Sequence, residues 1–222
     1  MKKILRSSIS SIVYHGSRLL GKPASGTRIL FYHRDNDHER LYLSATVSAF
    51  RDQMAHLARD GYRTVGLKEV LAGRSGDKDI VITFDDGYLD TFENAHPIMS
   101  ALGFTGTVYV VGKFIGRPSY LSVQNIQEMR GRGFDFGSHT LSHPHLPALD
   151  HDAKWQEIDG SKRFLQSLLG FEVEHFCYPY GEFDPEAVGM VRDAGYSSAS
   201  STIPGTNPGT HGRIQPFLLR RT

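Results

Sequence analysis

Apolar and polar positions follow two different periods along this chain. Short apolar runs rich in β-branched and aromatic residues occur at "RILFYH" (28–33), "YRTVG" (62–66), "DIVITF" (79–84), "GTVYVV" (106–111), "GFDFGSH" (133–139), "EHFCYP" (174–179) and "GYSSAS" (195–200). These predict strands. Between them apolar residues recur every three to four positions, the helical period. In 44–60, Val47, Phe50, Met54 and Leu57 form a stripe behind Ser44 or Thr46 as the cap. Further helices are predicted over 89–102, 122–131 (capped by Ser122), 151–169 and 184–194. Five junctions read helix, glycine, aromatic, strand: "RDGY", "ALGF", "GRGF", "LLGF" and "DAGY". Glycine there supplies a left-handed C-cap at low steric cost. The rhythm implies repeated βα units with mainly parallel strands, an α/β architecture. About seven units favour a closed or nearly closed barrel over an open sheet, with functional groups at the carboxyl ends of the strands. The units differ in length and content, so the chain is no solenoid.

The first 28 residues break this pattern. They carry Lys2, Lys3, Arg6, Arg18, Lys22 and Arg28 and no acid, with Ile4, Leu5, Ile9, Ile12, Val13, Leu19 and Leu20 at helical spacing. "GKPASG" (21–26) reads as a linker, so residues 1–26 are expected to form a basic amphipathic segment and 27–222 the main domain. Such a helix packs on its own domain or lies, through residues 1–20, on an anionic membrane surface. Its apolar runs are too short to span a bilayer, and it lacks the h-region of a signal peptide. The expected location is therefore the cytoplasm or the cytoplasmic membrane face.

The remaining composition narrows the chemistry. At 222 residues the chain is long enough for one domain with a sizeable core. A formal net charge of +1 gives no global pull toward nucleic acid. The lone Cys177 excludes an internal disulfide framework and a Cys-rich zinc site. Eleven histidines leave imidazole and carboxylate as the ligands for any transition metal.

Polar residues that follow the predicted strands stand out: His33 after "RILFY", Asp85 and Asp86 after "VITF", His139 then His143 and His145 after "FDFGS", and Tyr180 with Gly181 after "HFCYP". In a parallel barrel these ends share one rim. Two adjacent carboxylates repel and are costly to bury unless a cation or proton compensates. His139 and His143, four apart, can face one side in either a helical or an extended segment. Two imidazoles with one carboxylate form a three-ligand site for zinc or a related divalent ion, open to water and substrate. His145 is a rival second ligand, but Pro144 redirects the chain before it. Asp85 and Asp86 are expected to diverge, one toward the cation and one toward the water it acidifies.

"TFDDG", "SHTLSH" and "YPYG", in this order and spacing, resemble the motifs of the polysaccharide deacetylases of the NodB-homology type, carbohydrate esterase family 4. The likeness runs from "ILFYHRDND" to "FLLRRT". It implies a distorted (β/α)7-type barrel and metal-dependent removal of acetyl groups from the N-acetylated sugars of a polysaccharide or oligosaccharide. The ion implied is zinc, with cobalt, nickel or iron(II) as alternatives. It further implies that Asp85 is the general base, that Asp86, His139 and His143 hold the metal, that the Tyr180 N–H steadies the oxyanion, and that Pro179 fixes its turn. Two features depart from the family pattern. Cys177 stands where many members have an arginine, and "PFLLRRT" lacks the Leu-x-x-His motif that supplies the general acid. The placement of His33 resembles the branch acting on poly-N-acetylglucosamine, which makes His33 the expected acid. Arg221 or Arg220 is the candidate to replace the missing arginine and orient Asp85. Two rival functions remain at this point, a non-catalytic carbohydrate-binding module and a deacylase of a lipid-linked sugar. Trp155 and the Phe164–Leu169 stretch are expected to be helix core. The tyrosines at 88, 109, 120 and 178 can stack on sugar rings, but aromatics at such positions are more often packing residues, and that is the expectation here.

Overall fold

The computed structural model describes residues 26–36, 44–208 and 214–222. Residues 1–25, on which the amphipathic-helix expectation falls, lie outside them. In chain order the elements are β1 (Arg28–Tyr32), β2 (Arg34–Asp35), β3 (Ser44–Ala45), α1 (Val47–Arg59), β4 (Arg63–Thr64), α2 (Leu67–Leu71), β5 (Asp79–Phe84), a π-type turn (Thr91–Ala95) leading into α3 (His96–Ala101), β6 (Thr107–Val110), α4 (Val123–Gly131), β7 (Asp135–Ser138), α5 (His151–Leu169), β8 (His175–Cys177), α6 (Pro185–Asp193) and β9 (Ser198–Ser200). All seven expected strands are present, β5 over its full expected length and the other six trimmed at their ends. The five expected helices are present too, and the glycines at 61, 103, 133, 170 and 195 all have positive φ.

Caps explain most helix starts. The Thr46 hydroxyl, not that of Ser44, accepts the Ala49 N–H at the start of α1. Ser122 and Asn125 form a reciprocal capping box on α4. The helix expected over 89–102 differs: its first turn is π-type and becomes α-helical only at His96. Pro97 has no N–H to donate back, so the ladder is interrupted there. The short α2 was not legible as a separate helix.

The main sheet runs β1-β5-β6-β7-β8-β9, with β4 beside the start of β5, and every pairing is parallel. The two outer edges are joined by the C-terminal segment. Leu219 N–H donates to Ala199 O at 2.9 Å, Ser201 N–H to Leu219 O at 2.9 Å, and Thr222 N–H to Ile29 O at 2.9 Å. The sheet thus curls into a distorted (β/α) barrel whose last stave is an irregular segment.

Every residue of β5 is buried, which is why it reads as an unbroken apolar run. Ile80, Ile82 and Phe84 belong to the large core beneath the helices, with Phe50, Met99 and Phe136. Val81 instead joins Ile29, Tyr109, Cys177 and Leu219, and α2 adds Leu67 and Val70 to this smaller cluster. The two-residue period therefore continues Val81, Thr83, Asp85 along one face, and Asp85 emerges above the smaller cluster. Tyr109 and Tyr178 are buried, as expected of packing residues, while Tyr88 and Tyr120 stack on each other at 5.0 Å. On α5 the expectation is only half met: Leu165 and Leu169 are core, but Phe164 and Leu168 are exposed because they fall on the helix's outer face. Among the described residues no helix is long and apolar enough to cross a membrane.

Leu219 is fully buried between the two sheet edges. Leu219→Ala should cost about 2–5 kcal/mol of stability in urea unfolding, whereas Leu102→Ala, at a 37% exposed position, should stay within about 0.5 kcal/mol.

Candidate active site

β5 ends by releasing two carboxylates in opposite directions. Asp86 adopts φ +70°, left-handed backbone that aspartate tolerates better than most residues. That turn sends Asp85 to one side and Asp86 to the other. Asp85 is 2% exposed and Arg221 1%. Arg221 Nη1 donates to Asp85 Oδ1 at 2.7 Å and Nη2 to Oδ2 at 2.8 Å, a bidentate pair. The guanidinium is fixed further by Nε donating to Ser201 O at 2.9 Å and Nη1 to Thr83 Oγ1 at 3.3 Å. It also lies 4.7 Å over the Phe31 ring. Burial pushes the Asp85 carboxyl up, but the Arg221 charge and hydrogen bonds outweigh that and hold it well below the ordinary range.

Arg221, not Arg220, is the residue at Asp85; Arg220 is exposed and donates to Pro204 O. Arg221 Nη2 sits 3.1 Å from Cys177 Sγ. A guanidinium therefore stands beside Cys177, although it arrives from the last residues of the chain.

On the other side, Asp86 Oδ1 lies 3.5 Å from His139 Nε2 and 3.3 Å from His143 Nε2. The two Nε2 atoms are 3.2 Å apart. His139 Nδ1–H donates to Cys177 O at 2.8 Å, which leaves Nε2 as a lone pair. Burial, foremost, pushes the His139 imidazole down to about 3, and burial also lowers His143, so both are neutral at pH 7. Asp86 is pushed up to about 6, by burial first and then by the charge of Asp85. These three atoms surround a point about 2 Å from each, the range of zinc–nitrogen and zinc–oxygen bonds. The donor set thus fits a divalent ion that prefers imidazole and carboxylate. Asp85, His139 and Cys177 also cluster, but they make a poorer cage. Both oxygens of Asp85 already accept from Arg221, and burial pushes the Cys177 thiol well up, so it stays protonated.

The sequence-predicted residues gather around this pair of groups. His33 Nε2 is 3.9 Å from Asp85 Oδ2. Buried Pro179 opens a one-turn helix, Pro179–Gly181, in which Tyr180 takes φ +59°. A Cβ at Gly181 would come within 1.9 Å of Thr202 Oγ1, so only glycine fits there. The Tyr180 ring, 54% exposed, stands edge-on to His143 at 4.5 Å and stacks on His145 at 4.0 Å. His145 is therefore a ring partner of Tyr180, hydrogen-bonded through Nδ1 to Glu182 at 2.8 Å, and not part of the ligand triangle. His33, Asp85, Asp86, His139, His143, Tyr180 and Arg221 line one cleft of about 540 Å³, a size that suits a small organic ligand. Pro179 is buried at the start of the Tyr180 turn and does not line the cleft. Tyr88 and Tyr178, two of the tyrosines read as sugar-stacking or packing residues, also line the cleft, with Gly181. Phe31, Phe114 and Thr202 line it too but gave no sequence signal, and neither did Glu157 of α5, which accepts two N–H groups from the turn between the histidines.

The polysaccharide deacetylase family model matches residues 72–199. The Bacillus subtilis protein YxkH is 30% identical over 189 residues, covering 83% of this chain and 67% of its own. The Escherichia coli poly-β-1,6-N-acetyl-D-glucosamine N-deacetylase is 24% identical over 224 residues, covering 78% of this chain. The chain spans only a third of the length of that relative, 33%. Among solved structures, the Streptococcus pyogenes deacetylase PplD in complex with acetate superposes with a TM-score of 0.81 at 23% identity, over 90% of this chain and 92% of that one, and shows the same fold.

The buried ion pair gives a stability test. Arg221→Met leaves Asp85 uncompensated and should cost about 3–5 kcal/mol in urea unfolding at pH 7. The double variant Asp85→Asn/Arg221→Met should recover most of that loss. Because the folded-state value of Asp85 is depressed, its contribution is full above the ordinary aspartate range, about 4, and is lost as pH falls below it. The native chain should therefore lose stability below about pH 4 more steeply than the double variant.

Proposed function

The chain belongs to the polysaccharide deacetylase family, and from that premise we propose that it hydrolyses acetyl groups from the N-acetylated sugars of a polysaccharide or oligosaccharide. The observation that carries this reading is the convergence, in one cleft, of a neutral His–His–carboxylate triangle with a second carboxylate kept ionised by a buried arginine. The E. coli relative is named for N-deacetylation of a glucosamine polymer, and a Sinorhizobium fredii relative is named a chitooligosaccharide deacetylase. An N-acetylated glycan is thus the substrate class the reading favours.

Asp86, His139 and His143 would hold a divalent ion, with zinc the best match to the donor types. When bound, such an ion supplies a Lewis acid that polarises a carbonyl and lowers the pKa of water from about 16 toward about 7. Asp85 would accept the proton of the attacking water. The Arg221 pair keeps Asp85 ionised and, by the same charge, makes it a weaker base. The Tyr180 N–H, presented by the left-handed turn after Pro179, would donate to the tetrahedral oxyanion. His33, whose Nε2 lies 3.9 Å from Asp85 Oδ2 in the same cleft, would protonate the departing sugar nitrogen, since an amine is a poor leaving group until it receives a proton.

The reading is tested by acetate release from acetylated chito-oligosaccharides. Asp85→Asn should reduce turnover by about 10²–10⁴-fold with bound metal unchanged. His139→Ala should lose metal and turnover together, and chelation of the native protein should abolish activity that added zinc restores. Binding of the oligosaccharide without any acetate release would overturn the proposal in favour of a carbohydrate-binding module. His33→Gln should slow release from N-acetyl groups more than from O-acetyl esters, whose leaving group needs less help; equal effects would remove His33 from the acid role.

A further inference from the structure

The turn that carries both proposed histidine ligands is held by a carboxylate from another element. We propose that Glu157 of α5 is a positioning residue that sets the metal affinity of the cleft by fixing the backbone between His139 and His143. This inference rests on the reading of Asp86, His139 and His143 as ligands.

Glu157 Oε2 accepts the N–H of Leu141 and of Ser142, each at 2.9 Å, and Oε1 accepts the Ser142 hydroxyl at 2.6 Å. Three hydrogen bonds accepted by the two oxygens of one carboxylate together define a single geometry for the turn. The turn needs such a clamp. Thr140 and His143 both have positive φ, +68° and +62°, conformations that persist only where the surroundings over-determine them. The helix grips the turn's entry as well: Ser161 Oγ meets Ser138 Oγ at 2.7 Å, and Ser138 Oγ accepts the Thr140 N–H at 3.2 Å. α5 is itself anchored one turn away, where buried Lys154 donates to Asp184 at 2.7 Å and to Glu186 at 2.5 Å.

The two histidines do not depend equally on this clamp. His139 follows directly from β7 and is tied through Nδ1 to Cys177 O at 2.8 Å. His143 is reached only through the turn, where its N–H donates to Thr140 Oγ1 at 3.0 Å. If the Glu157 bonds are lost, the turn can relax toward ordinary backbone. His143 Nε2 then leaves its position 3.2 Å from His139 Nε2 and 3.3 Å from Asp86 Oδ1. The hydrogen bonds of Glu157 go to Leu141 and Ser142 and not to either histidine ring, so its effect passes through the main chain.

The test measures zinc affinity of the full chain by competition with a chromophoric chelator, beside circular dichroism and thermal unfolding of the metal-free protein. Glu157→Ala should weaken zinc binding by about 10–100-fold, the range for residues that orient metal ligands. Glu157→Asp, whose carboxylate falls one methylene short of the turn, should behave in the same way. Glu157→Gln keeps an oxygen able to accept both N–H groups and should stay close to the native affinity. Lys154→Met breaks the α5–α6 ion pairs and should lower stability while leaving zinc affinity intact. Native affinity in folded Glu157→Ala and Glu157→Asp overturns the proposal, as does a Lys154→Met variant that loses zinc as severely. Should Glu157→Ala not fold, equal affinities in the Asp and Gln variants would overturn it. A native protein that binds no zinc brings down the ligand reading together with this inference, which separates the two failures.

Discussion

Two neighbouring carboxylates at the end of a fully buried strand are the constraint around which the cleft is arranged. Neither could be ionised and buried there alone. Asp85 is satisfied by a bidentate guanidinium that is itself almost wholly buried. Asp86 faces two neutral imidazoles and is left with an elevated pKa of about 6. The asymmetry is produced by environment alone, since the two residues are chemically identical and adjacent. One is committed to charge by Arg221, and the other remains ready to take a cation. A pair of identical groups driven apart in this way is a common mark of a reacting site.

The arginine ties this electrostatic arrangement to the fold. Arg221 belongs to the segment that joins β9 to β1, through Leu219 and Thr222 on either side of it. Closing the ring and neutralising Asp85 are thus one event, so the cleft and the last stave of the barrel should form together. The backbone shows where this assembly stores strain. Of the five non-glycine residues with positive φ among those described, Asp86, Thr140, His143 and Tyr180 lie in or beside the cleft. Such residues are held by their surroundings, and here these include Glu157 on the turn between the histidines and the close approach of Thr202 to Gly181.

Much of the architecture was legible in the chain because it rests on local chemistry. Two-residue and 3.6-residue periods marked the strands and helices, and glycine marked five helix ends where a left-handed residue was needed. The elements that escaped were those without a period long enough to read: the single-turn α2 and the two-residue β2 and β3. Pro97 was visible, but its consequence, a π-type first turn, depends on how neighbouring hydrogen bonds rearrange. Exposure of Phe164 and Leu168 was hidden for a related reason: in the adjacent apolar pairs Phe164–Leu165 and Leu168–Leu169 nothing local announces which member meets the core.

What the sequence by itself determined was the set of chemistry-bearing residues at strand ends: Asp85 and Asp86 after β5, His139 and His143 after β7, Tyr180 after β8 and His33 after β1. A strand's direction and period fix where such residues emerge, so covalent neighbours suffice to predict them. The tertiary structure decided between Arg221 and Arg220 at Asp85, which the sequence left open, and it alone supplied Glu157. Arg221 lies 136 residues from Asp85, and Glu157 lies 15 and 16 residues from the turn it holds. No local period links either pair, because each contact exists only once a sheet has closed or a helix has docked.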